Sequence, residues 1–178
     1  GGFLASFKGD LHRLDGLHGH VHLAPHRRPS KVSNPPRVVV RRLKGDGIHD
    51  GDEIVPLPED ALDGLATTVA DEGEYEGLPW ELDRELAAHD GVITQSVTLA
   101  SEAALLGTPT LLISGAQRGF LDRLEIEGAP LFRWRGQNDP AEWGAVHAQF
   151  LAGLHLTDAL ESAEWPDAKR QLADLLSQ

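Results

Sequence analysis

The chain has 178 residues, 40% hydrophobic and 25% charged, a balance that excludes a disordered polymer and leaves room for one buried core. Its net charge of −12 argues against nucleic-acid binding, which needs a clustered basic face, and no apolar run approaches the roughly 20 residues that cross a bilayer. Absence of cysteine excludes disulfides and thiolate metal sites and suits a cytoplasmic setting.

Two further biases stand out. Arginine outnumbers lysine 12 to 4, and an acidic, lysine-poor surface stays hydrated under strong salt screening, so a salt-adapted source such as a halophilic archaeon is expected. No methionine occurs, so the chain is expected to be processed or part of a longer protein, and its first residues carry no secretory signature.

Residues 1–36 are rich in Gly, His and Pro, with short apolar pieces at Phe3-Leu4 and Val21-His22-Leu23, and read as a linker or as a peripheral segment with one short strand. Residues 37–178 read as the folded domain. Arg37-Val38-Val39-Val40-Arg41 follows two prolines and has the β-branched pattern of a buried strand. Residues 44–51 form a glycine- and aspartate-rich loop, and residues 52–58 a short extended piece. Glu59 opens a helix-like stretch with Leu62, Leu65 and Val69 at i, i+3, i+7. An acidic loop follows, and Leu78-Pro79 starts another helix that carries Leu82 and Leu86.

The most regular part is residues 92–114. Val92-Ile93-Thr94 reads as a strand, residues 98–106 as an Ala/Leu-rich helix stopped at Gly107 and Pro109, and residues 110–114 as a second strand. Such a βαβ crossover requires parallel neighbours. Residues 120–127 then read as a helix, residues 131–134 as a strand, and residues 142–160 and 167–176 as closing helices. The alternation predicts an α/β fold, a Rossmann-like parallel sheet flanked by helices.

In such sheets ligands sit at the carboxyl ends of the strands. That rule selects Gln95, Ser96 and Thr98 after one strand, and Ser114, Gln117 and Arg118 after the next. A helix opening near Thr98 directs free backbone N–H groups toward the first loop and favours a phosphate. Glu102, one turn further in, is placed to accept from a ribose diol. The plainer alternative makes Ser96 or Thr98 a helix cap and Glu102 an ordinary helix residue. His49-Asp50 reads either as an oriented acid/base pair, the candidate catalytic residues, or as a solvated polar loop. His18, His20 and His22 alternate as on one strand face, which suits zinc or nickel. The favoured reading of these histidines is a polar surface, so no metal ligand is assigned, and a His-rich metal-binding protein stays as an alternative.

The stretch from Ala87 to Pro109, with Glu102-Ala103 and Leu106-Gly107-Thr108-Pro109, resembles the nucleotide-sugar site of glycosyltransferase-B-type proteins. It is most similar to a glycosyltransferase-B-like family of archaeal and bacterial proteins carried as a domain of unknown function. That family is related in its C-terminal half to UDP-N-acetylglucosamine 2-epimerases. Val38-Val39-Val40-Arg41 with His49-Asp50 downstream, and residues 119–125 and 128–134, extend the resemblance over residues 37–135.

The resemblance implies the C-terminal half of a glycosyltransferase-B fold that binds a UDP-type nucleotide sugar and requires no cofactor. A transferase or epimerase activity would then need an N-terminal α/β partner domain that these residues lack. It puts Ser96 and Thr98 at the diphosphate and Glu102 at the ribose. Gln117 and Arg118 would reach the sugar or phosphate, with Arg41 and His49 approaching from an earlier loop. The family's Gly-Gly-Thr turn is here the glycine-free Gln95-Ser96-Val97-Thr98. A non-catalytic binding or scaffold domain of the same fold is the other reading.

Overall fold

A computed structural model describes residues 17, 19–23, 31–44, 54–136, 140–155 and 167–177. In chain order the elements are α1 (Gly19–His22), β1 (Arg37–Arg41), β2 (Ala66–Val69) and, after a 3-10 turn at Pro79–Glu81, α2 (Leu82–Ala88). There follow β3 (Gly91–Thr94), α3 (Val97–Leu105), β4 (Thr110–Ile113), α4 (Gly119–Ile126), β5 (Leu131–Trp134), α5 (Pro140–Gly153) and α6 (Ala168–Leu176).

The five strands form one sheet in the order β2-β1-β3-β4-β5, and every pairing is parallel. This is the Rossmann-like α/β arrangement that the alternation of elements predicts. The sheet is covered on both faces because its central strands are apolar at successive positions. On one face Val38, Ile93, Leu111, Ile113 and Trp134 meet Ala61 and the α5 residues Trp143 and Phe150. On the other, Val39 and Val92 meet Leu86 of α2 and Leu99 and Ala103 of α3, and Leu112 meets Leu121 and Leu124 of α4. Neighbouring residues of a strand serve opposite layers, as a period of two demands.

Two predicted elements change character. The helix expected from Glu59 is a set of turns over residues 59–64 followed by strand β2. Gly64 takes φ +74°, a left-handed conformation that breaks a helix, and the β-branched run Thr67-Thr68-Val69 pairs instead with β1. Leu62 and Leu65 still pack inward, against the α5 side of the core. The apolar piece Val21-His22-Leu23 is largely helical: α1 ends at His22, and the Leu23 N–H donates to the Gly19 carbonyl at 2.8 Å. The strand face proposed for three histidines is therefore absent at residues 19–22, and His18 lies outside the described residues.

The βαβ unit closes as its sequence suggests. Ser96 caps α3, its Oγ accepting from the Leu99 N–H at 3.4 Å. At the other end Gly107 takes φ +80°, and the N–H groups of Gly107 and Thr108 donate to the carbonyls of Ala104 and Ala103. These two reversed bonds satisfy the last turn of the helix. The expected helix at residues 142–160 is observed as α5, and residues 156–160 lie outside the described set.

Candidate functional site

The order of strands reverses between β1 and β3. The chain leaves β1 toward β2 on one side, and leaves β3 toward β4 on the other. Parallel sheets of this type bind ligands in the crevice at such a reversal; here the β1–β2 connection returns past it, with Ile54 bridging Ser114 after β4 and the Val55 carbonyl accepting from Gln95. Arg41 ends β1 in register with Thr94, the end of β3. The Thr94 Oγ1 donates to the Arg41 carbonyl at 3.0 Å and accepts from the Ser96 N–H at 3.0 Å, so it fixes the turn into α3.

The side chains beside this crevice divide into those that hold it together and those that face out. Gln95 holds. Its side chain is buried, with Oε1 accepting from the Leu43 N–H at 3.0 Å and Nε2 donating to the Val55 carbonyl at 2.7 Å. Both flanking loops are thereby tied to the end of β3. Ser96 serves as the cap already described, so its hydroxyl is shared with the helix. Thr98 is exposed on the first turn of α3. Among the described residues, no acceptor takes the N–H groups of Val97 and Thr98. These two open amides lie at the positive end of the α3 dipole, the kind of donors that anions accept from. The glycine-free turn is compatible with this geometry, because every positive φ among the described residues falls on a glycine outside it.

Charged groups from β1 and its neighbours complete the edge. The Arg41 Nη1 donates to the Ala70 carbonyl at 3.3 Å, and its charge also acts on the Asp71 carboxylate. Arg42 differs: its Nε donates to both oxygens of Asp71, at 3.1 and 2.9 Å. The Arg42 hydrogen bond holds the Asp71 carboxyl below its ordinary range. Tyr75, which the sequence reading passed over, lies near this edge. Its hydroxyl donates to Glu85 Oε2 at 2.7 Å, and desolvation with that carboxylate pushes the phenol up to about 12. A lone tyrosine in an acidic loop gives no periodic signal, so only the fold reveals its place.

Glu102 lies one turn into α3, and its Oε1 is 3.0 Å from His22 Nε2. After β4, Ser114 is buried and its Oγ accepts from the Ala116 N–H at 3.2 Å. Gln117 is exposed, and Arg118 precedes α4 with its Nη1 donating to the Gln117 carbonyl at 3.2 Å. Arg41, Gln95, Ser96 and Thr98 thus share the β1–β3 edge, while Ser114, Gln117 and Arg118 form the next loop along. His49 and Asp50 lie outside the described residues.

The Leu106-Gly107-Thr108-Pro109 motif works at the opposite end of the sheet. Gly107 ends α3, the buried Thr108 Oγ1 donates to the Leu86 carbonyl of α2 at 3.1 Å, and the Pro109 carbonyl accepts from the Val92 N–H at 2.9 Å. Asp90 has a similar fastening role there, with Oδ2 accepting from the N–H groups of Ser33 and Arg37 at 3.2 and 2.7 Å. No family model, no curated protein and no solved structure matches the chain.

Proposed function

We propose that the chain is the nucleotide-sugar-binding half of a glycosyltransferase-B-like protein, and that it takes the ligand's diphosphate at the amino end of α3. One observation carries the reading: the strand order reverses where β1 ends at Arg41 and β3 leads into the open amides of Val97 and Thr98. A diphosphate there meets backbone donors, a helix dipole and a guanidinium suited to oxyanions. In a transfer or epimerisation reaction the same groups stabilise the negative charge that develops on the departing nucleoside diphosphate. An N-terminal partner domain supplies the acceptor side of the cleft. The acidic, lysine-poor composition supports a salt-rich cytoplasm as the setting.

Calorimetric titration with UDP and UDP-sugars tests the proposal. The native chain is expected to bind, and Arg41→Gln to weaken binding about tenfold, the scale of one charge-assisted contact. Heat-silent titrations at millimolar ligand, confirmed by equilibrium dialysis, would overturn it.

A second reading, a binding module without catalysis, draws support from Gln95 and Glu102, whose side chains are engaged within the chain. UDP-sugar binding without turnover, in the presence of the partner domain, is its expected signature.

A further inference from the structure

A turn of helix ahead of the sheet packs against the helix that carries the proposed site. Leu23 is buried in the same core cluster as Leu99 and Ala103 of α3. Gly19 lies so close to that helix that a Cβ there would stand 2.4 Å from Leu105 Cδ1. His20 is buried on the same turn, its Nδ1 accepting from the Leu17 N–H at 2.7 Å, and α6 packs against α1. His22 then reaches Glu102, a contact between residues 80 positions apart in sequence.

Glu102 follows Thr98 by four residues, so the two lie on one face of α3 about one turn apart. A ligand anchored at the amino end of α3 and extending along this face arrives at a carboxylate that already has a partner. We infer that residues 19–23 form a strap across α3 in which His22 competes with ligand hydroxyls for Glu102. The inference rests on the placement of the ligand proposed above. Neighbouring side chains of the strap are held unequally. Leu23 is an apolar anchor in the core, whereas the His22 side chain is 41% exposed and its contact is open to screening. The imidazole therefore swings off Glu102 while Leu23 stays seated. A contact this exposed biases binding about two- to fivefold, which makes the strap a graded brake rather than an on–off gate.

The test compares UDP-glucose, which carries diols, with inorganic pyrophosphate, which has none, on the whole chain. His22→Ala is expected to tighten UDP-glucose about two- to fivefold and to leave pyrophosphate unchanged. His22→Gln, which keeps a donor, is expected to restore the native affinity. Hydrogen exchange at the Leu23 amide verifies that the apolar anchor remains docked in both variants. Unchanged or weaker UDP-glucose binding by His22→Ala, with pyrophosphate still bound, overturns the strap alone. Failure of every form to bind either probe overturns the placement at α3, and the competition with it.

Discussion

Gln95 shows how a single side chain sets the shape of the candidate site. Sequence logic places it among ligand-binding residues, because it follows a strand at the carboxyl edge. In the fold its amide joins Leu43 to Val55 and is 7% exposed. Gln95→Leu keeps the volume but strands the half-buried Leu43 N–H and Val55 carbonyl. A loss of about 2 kcal/mol is expected in urea denaturation, at the low end of the roughly 1–3 kcal/mol that each orphaned buried group costs. Asp71 makes a pH-dependent contribution. Its carboxyl is held below the ordinary value of 3.8, first by the Arg42 hydrogen bond. A depressed folded-state pKa means that this stabilisation is complete above the unfolded value and disappears as pH falls below about 4 toward the folded one. Denaturation midpoints measured between pH 6 and pH 2 should therefore fall less steeply for Asp71→Asn than for the native chain. Equal slopes would remove Asp71 from the account of acid sensitivity.

At the scale of elements, α3 is the piece on which the site depends, and its two ends can be tested separately. Ser96→Ala removes the cap acceptor and should cost about 1 kcal/mol. Gly107→Ala forces a side chain into φ +80° and should cost about 1–2 kcal/mol, with no effect on ligand affinity because the residue lies at the far end. The ends of α3 were legible in the sequence because serine, glycine and proline act through local backbone geometry. β2 was not. Leu62, Leu65 and Val69 mimic a helical stripe, but the first two pack in a turn region and the third pairs as a strand. Periodicity cannot separate these outcomes when a left-handed Gly64 interrupts the run. The histidine segment misled in the same way: alternation at 18, 20 and 22 suggested a strand face, whereas contact with α3, 80 residues distant, accompanies a helical turn.

Over the whole molecule, the sequence revealed the layered parallel sheet and the loops at its carboxyl edge. It could not reveal the strand order, which depends on how the connections cross, nor the loop tie made by Gln95. Topology supplies the reversal of strand order between β1 and β3, where the open amides of α3 and the end of β1 at Arg41 meet in a chain of net charge −12. Under the proposed function, an acidic surface elsewhere repels anions and leaves this spot as the place a diphosphate would take. The central claim is that a diphosphate seats on the amino end of α3. Amide chemical-shift mapping during titration with UDP addresses it most directly. The largest saturable shifts are expected at the Val97 and Thr98 amides, with smaller ones beside Arg41. Saturable shifts confined to the α5 or α6 surface, with Val97 and Thr98 unmoved, would contradict the account.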